Sequence, residues 1–227
     1  MGSVKRSYDG SRRRARAAAT HRDVVEAAGR LFATHGYAAT TIDAIAAEAS
    51  VSRETIFKSI GTKRQLLQLW VERQVAGPDE PVPIAQQEWV DAIRSADGRA
   101  HQVQIAVVAL SAIHDRAIDA LVALRAAAHA DPEIAELWQL ACDQRRQDVA
   151  AVTAMLTAQD EDPDRPRHGD VIDVVYALSS PELFEVLVRQ CGWTTEQFQD
   201  WLADALTTLV LGPSTATATE PIRRRSR

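Results

Sequence analysis

At 227 residues, with 46% apolar and 25% charged side chains, the chain has material for one large or two small globular domains. No apolar run approaches the roughly 18 residues of a membrane span, and no apolar signal segment opens the chain, so the expectation is a cytoplasmic protein with no membrane partner. The net charge of −5 is unevenly spread: residues 1–73 hold 13 Lys/Arg against 7 Asp/Glu, and residues 74–227 hold 13 against 24, so only the front suits a polyanion.

Alanine is abundant and β-branched residues rarely alternate with polar ones, which predicts an all-α fold. Residues 1–14, with Lys5, Arg6 and Arg12-Arg13-Arg14, are expected to form a disordered basic arm. Such an arm either reaches along DNA or only raises the local charge. An amphipathic helix is expected over Arg16–His35, with Val24, Val25, Ala28, Leu31 and Phe32 on one face and Gly36 as its stop. It opens a three-helix domain spanning 15–61.

The stretch Thr40–Lys63, TTIDAIAAEASVSRETIFKSIGTK, reads as a helix-turn-helix. Thr40 or Thr41 caps a first short helix whose apolar side is Ile42, Ile45, Ala46 and Ala49. Ala49-Ser50-Val51 is the turn, and Ser52 caps a second helix with Ile56 and Ile60 facing inward. The outward face of that second helix carries Ser52, Arg53, Glu54, Thr55 and Lys58. Arg can bridge guanine O6 and N7, Glu can accept from cytosine N4, and a Thr methyl can pack on thymine. A merely solvated polar face would look similar, but it would not predict the basic front and acidic rear. Gly61 ends the second helix, and Thr62 caps a connecting helix over 62–76.

AAGRLFATHGYAATTIDAIAAEASVSRETIFKSIGTKRQLLQLW resembles the N-terminal DNA-binding domain of TetR-family transcriptional regulators. The matching residues include Ala28, Leu31, Phe32, Gly36, Tyr37, Thr40, Thr41, Ile45, Ala46, Ala49, Val51, Ser52, Thr55, Ile56, Gly61, Lys63 and Leu66. The resemblance implies a homodimer on a palindromic double-stranded DNA operator. It implies a DNA-binding set of Thr40, Thr41, Ser52, Arg53, Glu54, Thr55, Phe57, Lys58 and Lys63, with Lys63 touching the DNA backbone. Ser50 stands where the family's turn usually has Gly, at a cost of about 1 kcal/mol if φ is positive there. Phe57 stands where Tyr is usual, so a hydroxyl contact to phosphate is expected to be absent. Ile60 replaces the usual Phe, and Ser59 the usual His or Tyr.

Residues 77–213 are expected to form an effector-binding and dimerisation domain, and 214–227 a disordered basic tail. Gly77–Pro83 is a proline-rich linker. Helices follow over Glu88–Ala96, then Arg99–Ala130 with a bend allowed near His114-Asp115. The next runs from Pro132 to about Ala158, with Asp131 as N-cap. Gln159–Gly169 reads as a solvated loop. Three closing helices are expected at Asp170–Leu178, Pro181–Gln190 and Thr194–Leu211.

No phosphate loop, CxxC, HExxH or nucleophile with a plausible base is present, so the reading is not an enzyme, with no cofactor and no metal. Cys142 and Cys191 fit a reducing compartment. The family places a ligand among the central helices. Gln104, Ser111, His114, His129, Trp138, Cys142 and Tyr176 are the ligand-binding candidates, for a small, largely apolar molecule with one or two hydrogen-bonding groups. Val174, Leu202, Leu206 and Leu209 are the dimer-interface candidates. The function expected is a ligand-responsive repressor released from its operator by that effector. The alternative is a dimeric DNA-binding architectural or co-regulatory protein with no small-molecule effector.

Overall fold

The structure, a computed structural model, describes residues 9–77, 84–157 and 168–211. Every regular element among them is helical. They are α1 (Asp9–His35), α2 (Ile42–Glu48), α3 (Arg53–Ser59), α4 (Lys63–Ala76), a 3₁₀ turn (Ile84–Gln86), α5 (Glu88–Ser95), α6 (Arg99–Ala128), α7 (Pro132–Thr157), α8 (His168–Leu178), α9 (Pro181–Phe184) and α10 (Thr195–Leu211). A π-helical segment, Glu185–Gln190, continues α9.

The chain packs as two compact units, Met1–Pro83 with Ile113–Arg145, and Ile84–Ala112 with Arg146–Arg227. The division therefore runs through α6 and α7, whereas the sequence reading placed its boundaries near residues 61 and 77. The reason is visible in the first unit's core. Val24, Val25, Ala28 and Phe32 of α1 meet Ile45 and Ala46 of α2, Ile56 of α3, and Leu66, Leu67, Trp70 and Val71 of α4. Ala120, Ala123, Leu124 and Ala127 of α6 and Ile134 and Leu137 of α7 complete the same cluster. Helices α1 to α4 alone would leave part of that apolar cluster in water.

Two features fix α1 against α4. A Cβ on Gly29 would lie 2.3 Å from Trp70 Nε1, so glycine is what lets the helices approach this closely. Phe32 then lies between Tyr37 and Trp70, its ring tilted against both at centroid distances of 5.5 and 6.2 Å. Arg73 Nε also pairs with Glu26 Oε1 at 3.0 Å, a half-exposed bridge that contributes little beside the packing.

α1 starts at Asp9, so Arg12–Arg14 continue the helix and do not belong to an unstructured arm. Arg and Ala are strong helix formers, and no Gly or Pro follows Gly10 before residue 29 to stop propagation toward the N-terminus. Residues 1–8, most of the predicted linker, residues 158–167 and the 214–227 tail lie outside the described residues. α6 is one uninterrupted helix through His114-Asp115. Asp131 caps α7 as expected, its Oδ1 accepting from the N–H groups of Glu133 and Ile134 at 3.0 and 3.4 Å.

In the second unit, Val90 and Ile93 of α5, Val103 and Val107 of α6, and Leu156 of α7 are buried, as are Val175 of α8, Phe184 of α9, and Phe198, Leu202, Ala203 and Leu206 of α10. Phe184 and Phe198 meet edge-to-face at 5.0 Å. Ser180 caps α9, accepting from Leu183 N at 3.2 Å, but the predicted single helix to Gln190 changes register. Cys191 N donates to Val186 O at 2.9 Å, the wider turn of a π segment. Periodicity does not announce that change, because the same apolar side chains serve both registers.

Candidate nucleic-acid interface

The site begins with three caps. Thr41 Oγ1 accepts from Ala44 N at 3.1 Å to start α2, and Ser52 Oγ accepts from Thr55 N at 3.2 Å to start α3. Thr62 and Gln65 form a reciprocal capping box on α4, with Gln65 N donating to Thr62 Oγ1 at 3.2 Å and Thr62 N to Gln65 Oε1 at 2.8 Å. Between α2 and α3, Ser50 adopts φ 54° in the left-handed region. Val51 N returns to Ala46 O at 2.9 Å and closes the turn.

Ile56 is fully buried and pins one side of α3. The opposite side is therefore turned outward: Arg53, Glu54, Phe57 and Lys58 are all exposed, as is Ser52. Arg53 and Phe57 form one i, i+4 row and Glu54 and Lys58 another. Phe57 is 51% exposed, an unusual position for a phenyl ring unless something covers it. Thr55 is half-buried, its hydroxyl 3.0 Å from Ser52 Oγ, which ties it to the cap. Arg53 does not stand alone. Its Nη1 donates to Asp43 Oδ2 at 3.3 Å and its Nε lies 3.1 Å from Asp43 Oδ1, linking α3 back to α2.

Two predicted DNA contacts are placed otherwise. Thr40 is 2% exposed and its hydroxyl donates to Gly36 O at 2.8 Å and Leu31 O at 3.2 Å. It ties the end of α1 to the start of α2 and is not on the outward face. The Lys63 ammonium donates to Tyr37 O at 2.9 Å and Thr40 O at 3.0 Å and sits 4.2 Å above the Tyr37 ring centroid. Burial of the ammonium pulls its pKa below the ordinary lysine value, with Asp131 opposing. The side chain is thus engaged in holding the loop between α1 and α2. Burial also raises the Tyr37 hydroxyl pKa, with Asp131 and Glu133 acting in the same direction. Sequence reasoning missed Asp43 as the partner of Arg53, since an Asp in the first turn of a helix is read as a dipole complement.

The ligand-binding candidates fall in both units. In the second, Gln104 is half-buried, Ser111 is fully buried with its hydroxyl donating to Val107 O at 2.8 Å, and Tyr176 is half-buried with the Arg146 guanidinium 5.6 Å from its ring centroid. In the first, Cys142 is half-buried and His114 is 2% exposed; desolvation, then the charge of Arg145, pushes the His114 pKa down to about 3. His129 is exposed at the end of α6, its Nδ1 2.7 Å from Arg125 O, so it faces solvent and lines no enclosed cavity. Trp138 packs against the first unit's core. Helical phase could not distinguish these positions, because only the packed neighbours reveal which face turns inward.

The dimer candidates divide in the same way. Val174 is 40% exposed on α8. Leu202 and Leu206, at 0% and 5% exposure, are already covered within their own protomer, where the i, i+4, i+8 row from Phe198 forms the inner face of α10. They are core residues and not interface contacts. The Leu209 side chain lies outside the described residues.

Residues 24–69 match the family model described as "Bacterial regulatory proteins, tetR family". No curated protein matches the chain. Among solved structures, a proposed transcriptional regulator from Pseudomonas aeruginosa PAO1 aligns at 20% identity over 84% of this chain and 89% of that one, with a TM-score of 0.64. The regulator FadR from Bacillus subtilis, solved with stearoyl-CoA, aligns at 12% identity over 86% of this chain and 100% of that one, TM-score 0.62. A proposed regulator from Saccharomonospora viridis, solved with choline, aligns at 20% identity over 82% and 95%, TM-score 0.60. At these identities the likeness is one of fold.

Proposed function

From a chain that belongs, through its residues 24–69, to the TetR family of bacterial regulatory proteins, we propose a ligand-responsive repressor that acts as a homodimer in the cytoplasm and is not an enzyme. The observation that carries the reading is the outward face of α3. Caps at Thr41, Ser52 and Thr62 fix three helices, and the buried Ile56 turns Arg53, Glu54, Phe57 and Lys58 together to the outside. Arg53 supplies guanine-reading donors, Phe57 an apolar face for a thymine methyl, and Lys58 a charge for phosphate. The positive end of the α4 dipole adds to the phosphate contacts. A dimer presents two such faces about 34–36 Å apart to a palindromic operator. A ligand that binds better to a dimer of different spacing draws the population off the DNA.

The effector of this reading is a small, largely apolar molecule with one or two hydrogen-bonding groups. The second unit's interior supports it. That interior is built from Val, Leu, Ile and Phe, and it holds two buried hydroxyls, Thr153 Oγ1 and Ser179 Oγ, with no hydrogen-bond partner among the described residues. The structural relatives with stearoyl-CoA and with choline suggest acyl-chain compounds and small cationic alcohols as the first probes.

Selection of random duplexes by the purified full-length chain tests the DNA half. The expected product is a palindrome with half-sites one helical turn apart, bound with a steep loss of affinity as salt rises. Enrichment of no sequence would sink the reading. Titration of the selected duplex complex with acyl chains of graded length and with choline then separates a ligand-released repressor from a DNA-binding protein without an effector.

A further inference from the structure

Asp43 and Arg53 link α2 to α3 through their side chains. Asp43 lies in the first turn of α2 and Arg53 is the first residue of α3. The guanidinium meets the carboxylate at two points, Nη1 to Oδ2 at 3.3 Å and Nε to Oδ1 at 3.1 Å. Both side chains are more than half exposed, at 58% and 65%, so the pair adds little to folding. A carboxylate on the face that meets phosphates also opposes DNA binding electrostatically. The pair therefore weakens non-specific affinity and contributes little stability; what it does provide is geometry.

We propose that Asp43 is a positioning residue for operator recognition, one that holds the Arg53 guanidinium in a single orientation so that its remaining donors read a guanine in the major groove. An arginine at the start of a short helix has four rotatable side-chain bonds and would otherwise spread over many rotamers. The Nη1 hydrogen bond and the close charge contact at Nε together restrict the guanidinium's swing. The terminal edge stays available, with one proton on Nη1 and one on Nη2, and this is the pair of donors that guanine O6 and N7 accept. The gain is discrimination more than affinity, because an unconstrained Arg53 could still reach a phosphate beside any base.

The proposal rests on the DNA-binding reading above, and its test keeps the two separable. The full-length chain is first used to select its duplex, and the base pair whose recognition is lost in Arg53→Ala is identified. Affinities are then measured on that duplex and on one changed at that pair. The unaltered chain should discriminate by about tenfold or more. Asp43→Ala should bring the two affinities to within about threefold while leaving binding to random duplex equal or slightly stronger. Asp43→Asn, which keeps one acceptor, should fall between. In an Arg53→Ala background, Asp43→Ala should change discrimination no further. Melting temperatures of the single variants should stay near that of the unaltered chain, which a purely structural role would not give.

Undiminished discrimination by Asp43→Ala overturns the positioning role while the DNA-binding reading stands. Increased discrimination also overturns it, and identifies Asp43 as a group that keeps Arg53 from the DNA. Selection that enriches no duplex at all overturns both.

Discussion

The ammonium of Lys63, on α4, donates to the carbonyl of Tyr37 at 2.9 Å and lies 4.2 Å above the same residue's ring. One side chain thus holds both the backbone and the aromatic face of the residue that leads out of α1. Its second bond, to Thr40 O at 3.0 Å, reaches the start of α2.

Lys63→Met keeps the stem and removes these contacts. Charge-assisted hydrogen bonds and a half-exposed cation–π contact together suggest a loss of roughly 1–3 kcal/mol in unfolding free energy. The loop they hold sets the entry to α2, so affinity for all duplexes should fall alongside stability. Chemical denaturation and binding to random DNA check this. An unchanged denaturation midpoint with reduced DNA affinity would return Lys63 to a direct phosphate role.

Ser50 sits at φ 54°, where a Cβ is strained and glycine is not. Ser50→Gly should stabilise the chain by about 0.5–1 kcal/mol, the relief being partly offset by the freer unfolded backbone. Ser50→Val should destabilise by more than that, because a branched side chain is worse in this region. Denaturation midpoints of the two variants should move in opposite directions.

His114 gives the stability curve an acid slope. Its pKa in the folded protein is about 3 against an ordinary 6.5, because burial disfavours the imidazolium. Between those values the unfolded chain holds the extra proton, so stability rises with pH across this window and falls as pH drops from 6.5 toward 3. From pH 7 to pH 5 the loss from this group is about 2 kcal/mol. Urea denaturation at the two pH values should show that loss, and His114→Gln should remove most of the pH-dependent part. An unchanged slope in the variant would assign it to other groups.

On α8 and α10, the two kinds of apolar residue should behave differently. Leu206 is buried in its own protomer, so Leu206→Ala should cost about 2–5 kcal/mol in folding. Val174 is 40% exposed, so Val174→Glu should leave the protomer folded and weaken the proposed dimer. Sedimentation equilibrium reads the second effect and thermal melting the first. A fully dimeric Val174→Glu protein would remove Val174 from the interface.

The local code was plain in the chain. Thr41, Ser52, Thr62, Asp131 and Ser180 cap helices where a short side-chain acceptor precedes an apolar period, because a cap depends only on atoms within three residues. The spacing of Ile45, Ala46 and Ile56 likewise gave the inner faces of α2 and α3, and the matching pattern gave the resemblance to the family whose model matches residues 24–69. Contacts between distant positions were decided by the tertiary structure alone. Arg53 finds Asp43 ten residues back, and Lys63 finds carbonyls at positions 37 and 40. The apolar stripe of α10 could have faced a second protomer or its own, and period alone carries no information about which. Packing settled that Leu202 and Leu206 close their own core, while Val174 remains outside. The same holds for α6 and α7: each reads as one long helix, yet each gives one stretch to the first unit and another to the second, because a long helix can bury different faces against different neighbours along its length.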